Sequence, residues 1–273
     1  MKLRAHGVTH VGRKRDHNED FVLSIPDLGL FAVCDGMGGH HAGDVAAATT
    51  GRIIEAAIRR QHASLIRGGE PDTGCVLAAM RVAVEEASQE VYRLARTTGG
   101  RHGMGTTCTV LMILGGKGFM AHVGDSRLYL ARDHRFYQLS DDHTYMREAI
   151  RMGMMTDEQA KRSKFANVVT RGVGVQRSVC VDTLSFDVVS GDRFLLCSDG
   201  LHRYGEKEPG ALVERLGDGD PEHAAATLVG FANTSGGEDN IGVLVVHADV
   251  PDAQAAPREQ RRRLDLNENL DAI

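Results

Sequence analysis

No stretch of this 273-residue chain approaches the roughly 18 consecutive apolar residues that a membrane helix needs. The opening residues, MKLRAHGVTHVGRKR, also lack the apolar segment of a secretion signal, so the expectation is a cytoplasmic protein without a membrane partner. An excess of positive charge is missing too. A formal net charge of −5 argues against a general affinity for nucleic acid and leaves individual arginines free to meet small or protein-borne anions. The five cysteines (Cys34, Cys75, Cys108, Cys180, Cys197) form no CxxC pair and no metal-finger spacing, which suits a reducing compartment and core positions. No internal repeat is present.

What the chain does have is 42% hydrophobic residues, enough for a sizeable core. Short runs rich in β-branched and aromatic residues predict strands at 21–25, 30–34, 106–114, 118–123, 127–131, 192–197 and 241–247. Helices are predicted at 42–62 and 74–96. In the second, Leu77, Met80, Val84, Ala87, Val91 and Leu94 make one apolar stripe. The Gly/Pro-rich RGGEPDTG (67–74) between them reads as an exposed loop. A helical pair at about 144–163 interrupts the strand series as an inserted subdomain, with Thr156 and Gln159 spaced as a capping box. Residues 208–234 read as helical, with Pro221 near an N-terminus. Beyond Val250 the composition is charged and poor in large apolar groups, so 250–273 is expected to be a disordered tail. Strands clustered before and after helices, without strict alternation, predict an α/β (α+β) fold in which antiparallel sheets are covered by helices.

Carboxylates stand at the ends of these strands. Residues 21–25 and 30–34 flank the turn Pro26–Gly29, so they should form an antiparallel hairpin that sets Asp20 beside Asp35 at one sheet edge. Asp125 follows MAHVG, Asp199 follows FLLCS, and Asp239 precedes IGVLVV. If 241–247 pairs with 192–197, Asp239 comes next to Asp199. Like charges gathered in this way raise one another's pKa unless a cation bridges them. Oxygen ligands without a His/Cys set favour a hard divalent ion, Mg²⁺ or Mn²⁺. Three glycines in four positions after Asp35 should leave room for close approach of a backbone carbonyl and a coordinated water.

Over about residues 6–247 the sequence resembles the metal-dependent protein phosphatases, the PPM or type-2C serine/threonine phosphatases, in their bacterial form. The motifs that carry the resemblance occur in order. They are G-x-x-R-x-x-N-E-D (12–20), D-G-M-G-G-H-x-A-G-D (35–44), G-T-T (105–107), V-G-D-S-R (123–127), N-V-V-T-R-x-x-G (167–174), S-D-G-L (198–201) and E-D-N (238–240). The resemblance implies a four-layer αββα sandwich of two antiparallel sheets, with residues 1–249 as the catalytic domain and a helical flap at about 144–168 beside the site. It further implies that Asp35 bridges two catalytic ions and that the Gly36 carbonyl binds one of them. Asp199 and Asp239 bind the other, and Asp125 joins Asp199 at a third. Glu19, Asp20 and Asn240 lie around the metal waters, and Arg15 grips the phosphate. The implied reaction is hydrolysis of phosphoserine and phosphothreonine in proteins by direct attack of a metal-bridging water or hydroxide, without a phospho-enzyme. The implied partners are phosphorylated proteins, including a cognate Ser/Thr kinase or its substrates, and the implied state is a monomer.

Three positions depart from the family pattern. His10 stands where Asp is frequent, Arg203 where an acidic residue is common, and Met37 where many eukaryotic members carry a His thought to act as general acid. Met cannot donate a proton, which leaves His40, His41 or water for that task. Two other readings compete. Cys75 to Arg81 and Cys197 to Arg203 both have the C-x5-R spacing of cysteine-dependent phosphatases, but the first lies within a helical pattern and the second encloses Asp199, whose charge repels phosphate. A phosphoprotein-binding module that has lost catalysis is the other; it would be expected to lack the carboxylates that are present here.

Overall fold

A computed structural model describes residues 1–38, 42–97, 103–156, 159, 165 and 168–249. The hairpin predicted from the turn Pro26–Gly29 is β2 (Asp20–Ile25) against β3 (Leu30–Met37), preceded by β1 (Lys2–His10). Its register sets Asp20 directly opposite Asp35. Next comes α1 (Ala42–Gln61), whose ends suit the helix dipole, with Asp44 in the first turn and Arg59 and Arg60 in the last. The stretch expected as a loop contains a small hairpin, β4 (Ile66–Arg67) with β5 (Glu70–Pro71), and Pro71 is buried while residues 66–70 are exposed. In α2 (Thr73–Thr97) the buried stripe is Val76, Met80, Ala83, Val84, Ala87 and Val91; Leu77 and Leu94 sit at its margin, partly buried.

The second half continues with β6 (Gly105–Thr106), β7 (Cys108–Leu114), β8 (Lys117–Val123), β9 (Arg127–Arg132) and β10 (Arg135–Gln138). Thr144 caps α3 (Tyr145–Arg151) by accepting from the Arg147 N–H at 3.4 Å. Downstream, the Thr156 N–H donates to Gln159 Oε1 at 3.0 Å and the Gln159 N–H to Thr156 Oγ1 at 3.3 Å, the reciprocal pair of a capping box. The rest of that predicted second helix lies largely outside the described residues, as does the tail. Then follow β11 (Asp182–Asp187), β12 (Asp192–Cys197), α4 (Asp199–Gly205), α5 (Pro209–Leu216), α6 (Pro221–Thr234) and β13 (Ile241–Asp249). The helical span 208–234 is thus two helices, because Asp220 accepts from the His223 N–H and Pro221 takes the first helical position, starting a new helix.

Two antiparallel sheets result, in the orders β1-β13-β12-β9-β10 and β11-β8-β7-β3-β2, with β6 paired to β3. Strand alternation sorts their side chains into three cores. Phe31, Val33, Leu111 and Met120 of one sheet meet Leu128, Phe194, Leu196 and Leu244 of the other. The opposite-facing Leu30, Ala32 and Cys34 pack under α1 and α2, and Tyr129, Leu195 and Val245 pack under α4 to α6. These four layers are the αββα sandwich. Fully enclosed anchors such as Phe31 and Phe194 each contribute about 1.5–3 kcal/mol by leaving water. Among the described residues no helix is long and apolar enough to cross a membrane.

Candidate functional site

The two sheets are tied together at the end where the carboxylates lie. Ser198, just after β12, donates its hydroxyl to Asp20 Oδ2 at 2.7 Å and accepts from the Gly242 N–H at 2.8 Å. Pairing of β12 with β13 sets Cys197 opposite Val243, which leaves Asp199 at the start of α4 next to the segment carrying Asp239. Asp35 is held through its backbone: its N–H donates to Thr107 Oγ1 at 2.9 Å, and its carbonyl accepts from the Thr107 N–H and the Thr106 hydroxyl, each at 2.9 Å. Thr107 Oγ1 also meets Ser126 Oγ at 2.7 Å, coupling Asp35 to the loop of Asp125. That loop is fixed further by His202 Nε2, which donates to the Asp125 carbonyl at 2.9 Å, and by His143, whose Nδ1 accepts from the Gly124 N–H at 3.1 Å. Gly124 has φ +111°, and a Cβ there would press on Thr107 at 2.6 Å, so a side chain is doubly disfavoured.

Asp35, Asp125, Asp199 and Asp239 all line one cleft of about 280 Å³, together with Arg15 and Met37. A larger cavity of about 490 Å³ lies elsewhere, between Met1, Leu3 and the Pro26–Gly29 turn, and gathers no such set of carboxylates. Enclosure by protein, reinforced by the neighbouring carboxylates, drives Asp35 well above the ordinary carboxyl range. Burial pushes Asp20 up to about 8 against the lowering effect of Ser198, and Asp125 up to about 7. It takes Asp199 to about 6 even though Arg203 pulls the other way. One oxygen each of Asp20 and Asp199 (Oδ1) is buried without a hydrogen-bond partner. Orphaned oxygens and mutually raised pKa values are what a hard divalent cation relieves, so the donor set fits Mn²⁺ or Mg²⁺. Although the carboxylates share a cleft, no three acidic, His or Cys side chains among the described residues stand close enough together to enclose an ion as they lie. Two of the carboxylates are engaged by arginines: Arg15 donates to Asp239 Oδ2 at 2.8 Å, and Arg203 ion-pairs with Asp199.

The remaining predicted residues gather around this cleft. Asn240 accepts from the Glu19 N–H at 2.9 Å and donates to the carbonyls of Val11 and His17 at 3.0 and 2.8 Å, fastening the loop that carries Arg15. Arg15 itself is largely exposed. Gly36 lines the cleft, and only glycine fits there, since a Cβ would strike the Gly43 carbonyl and lie 2.6 Å from the Glu19 carbonyl. His10 braces the same loop by accepting from the Gly12 N–H at 2.9 Å. His40 and His41 lie outside the described residues. The cysteine mechanism finds no support in the geometry. Cys75 belongs to α2, and Cys197 is buried with its thiol pushed well above the ordinary range. Sequence reasoning missed Ser198, His202 and His143. The first two flank Asp199 inside SDGLH, so their proximity was visible, but His143 is brought in only by the tertiary fold.

Comparison with known proteins finds relatives along most of the chain. The sequence profile of the family described as "Protein phosphatase 2C" matches residues 7–238. The chain is 34% identical over 252 residues to the serine/threonine phosphatase Stp of Listeria monocytogenes, covering 91% of this chain and 97% of that protein. Among solved structures it resembles the serine/threonine phosphatase PstP/Ppp of Mycobacterium tuberculosis, with a TM-score of 0.78 at 30% identity over 91% of this chain and 99% of that one. It also resembles the catalytic domain of PstP in complex with two manganese ions, with a TM-score of 0.76 at 30% identity and the same coverage.

Proposed function

The chain belongs to the protein phosphatase 2C family and is a protein serine/threonine phosphatase, and on that premise we propose that its carboxylate cleft is where phosphoserine and phosphothreonine are hydrolysed. In this reading Asp35, Gly36, Asp125, Asp199 and Asp239 hold the cations, Glu19, Asp20 and Asn240 support the surrounding waters, and Arg15 receives the phosphate. The observation that carries it is the convergence of four carboxylates from separate parts of the chain on one cleft, three of them with raised pKa values.

The cofactor is Mn²⁺ or Mg²⁺. Bound in the cleft, such ions supply Lewis acidity, lowering the pKa of a water that can attack phosphorus directly and offsetting the charge of the phosphoryl oxygens. The protein's own contribution is position. Thr106 and Thr107 clamp the backbone of Asp35 so that its carboxylate cannot drift, and Ser198 orients Asp20. Arg15, more than half exposed on Asp239, offers a planar fork to an incoming phosphate. Met37 lines the cleft but has no proton to give the departing serine or threonine oxygen.

A binding module without catalysis is not favoured, because every carboxylate of the proposed set is in place. Substrates are phosphoproteins; we further propose a cognate kinase or its targets among them, action as a monomer, and a cytoplasmic setting. The catalytic unit is proposed to span 1–249. Val169, beside the flap at about 144–168, lines the cleft, which supports a role for that segment in choosing the phosphoprotein. Asp35→Asn and Asp239→Asn should each cost several powers of ten in kcat with unchanged circular dichroism, and Asp125→Ala should cost less. Full activity in Asp239→Asn would contradict the assignment.

A further inference from the structure

Arg203 is a cationic group in the cleft that the chemistry above does not use. It lies four residues after Asp199 on α4, a spacing that stacks two side chains on one helix face. Its guanidinium ion-pairs with Asp199 Oδ2 and stands 3.9 Å from Asp239 Oδ2, the oxygen that Arg15 also contacts at 2.8 Å. The carboxylates proposed for one ion are therefore already met by two arginines. Asp35 in the cleft, and Asp20 opposite it on the hairpin, make no ion pair with an arginine among the described residues. Their raised pKa values come from burial and from other carboxylates. The two metal positions thus begin from unlike states, the Asp35 carboxylate without a cation and the Asp199–Asp239 pair already facing guanidinium.

We infer that Arg203 is an internal competitor for the Asp199–Asp239 metal position. Its guanidinium offsets the charge of these carboxylates in the metal-free protein and weakens the hold of a divalent cation there, so the Asp35–Gly36 position loads first. Asp199 Oδ1 is still open to a cation, but a guanidinium on the neighbouring oxygen repels it. Arg203 has somewhere to go, since its side chain is 44% exposed and carries several rotatable bonds. This inference rests on the metal-site reading proposed above.

The test is calorimetric binding of Mn²⁺ to the chelator-stripped full chain, comparing wild type with Arg203→Gln, Lys207→Gln and Asp239→Asn. Asp239→Asn identifies the step belonging to the contested position by removing it. Losing a partly exposed ion pair should tighten that step in Arg203→Gln by about two- to fivefold and leave the other step unchanged. Lys207→Gln removes an equal charge just beyond the same helix, where the ammonium lies 5.8 Å from the Tyr204 ring centroid, and should change neither step. In chelator, Arg203→Gln should also lower Tm, because Asp199 and Asp239 lose a cation between them. An unchanged or weakened step in Arg203→Gln, or equal tightening in Lys207→Gln, overturns the inference while leaving the metal site intact. Absence of Mn²⁺ binding in wild type, or an Asp239→Asn protein with both steps intact, defeats the metal-site reading itself, and the inference falls with it.

Discussion

Ser198 shows how much of the carboxylate cleft depends on groups outside its lining. Its hydroxyl satisfies one oxygen of Asp20 and the N–H of Gly242, joining the two sheets at the end where the carboxylates gather. Since the other oxygen of Asp20 already lacks a partner, Ser198→Ala would leave a buried carboxyl with neither oxygen bonded and strand a backbone donor as well. A loss of about 1–3 kcal/mol is expected from such unsatisfied groups, measured by urea unfolding in chelator. A change below about 0.5 kcal/mol, within the range of ordinary surface substitutions, would mean that water replaces the hydroxyl without penalty. The Asp residues of the cleft were legible from sequence because each stands at the end of an apolar run. Their supports were less so: a serine or histidine becomes a support only through a partner far along the chain, as His143 does for Gly124.

The β2–β3 hairpin was legible because a four-residue turn containing Pro26 and Gly29 fixes which residues face each other. β1 was not, because KLRAHGVTH has no large apolar run and becomes a strand by pairing along its whole length with β13. The edge strand β11 (DTLSFD) is similarly polar, and α4, at seven residues, is too short to show a periodic pattern. α1 offers a test of packing against propensity. Gly51 in mid-helix faces Phe21, and a Cβ there would collide with the Phe21 ring. Gly51→Ala should gain about 0.5–1 kcal/mol in helix propensity. Overpacking against a rigid ring costs about 1–3 kcal/mol, so the net expectation is a destabilised protein with a lower urea midpoint. A higher midpoint would show that Phe21 moves aside freely.

Across the whole molecule, the raised carboxyls give a definite pH dependence. Asp20 at about 8 and Asp125 at about 7 hold protons in the folded metal-free protein that the unfolded chain, with ordinary values of 3.8, has already released. Stability therefore falls as pH rises wherever the folded state binds more protons. Buried His202 and His122, lowered to about 3 and 4 from 6.5, act oppositely, but only below about pH 6.5, where the unfolded chain takes up their protons. Between pH 6.5 and 8, Tm in chelator should fall by several degrees, and Mn²⁺ should abolish the fall by replacing those protons. A flat profile in chelator would mean that the carboxyls ionise without strain.

The same convergence makes catalysis depend on the ions. The decisive measurement is phosphate release from a phosphoserine or phosphothreonine peptide by the full chain, first stripped with EDTA and then resupplied with Mn²⁺. Activity should vanish on stripping, return with Mn²⁺, and be indifferent to Cys197→Ser in a protein that remains folded. Turnover that survives EDTA and disappears in folded Cys197→Ser would place the chemistry on the thiol and not on the carboxylate cleft.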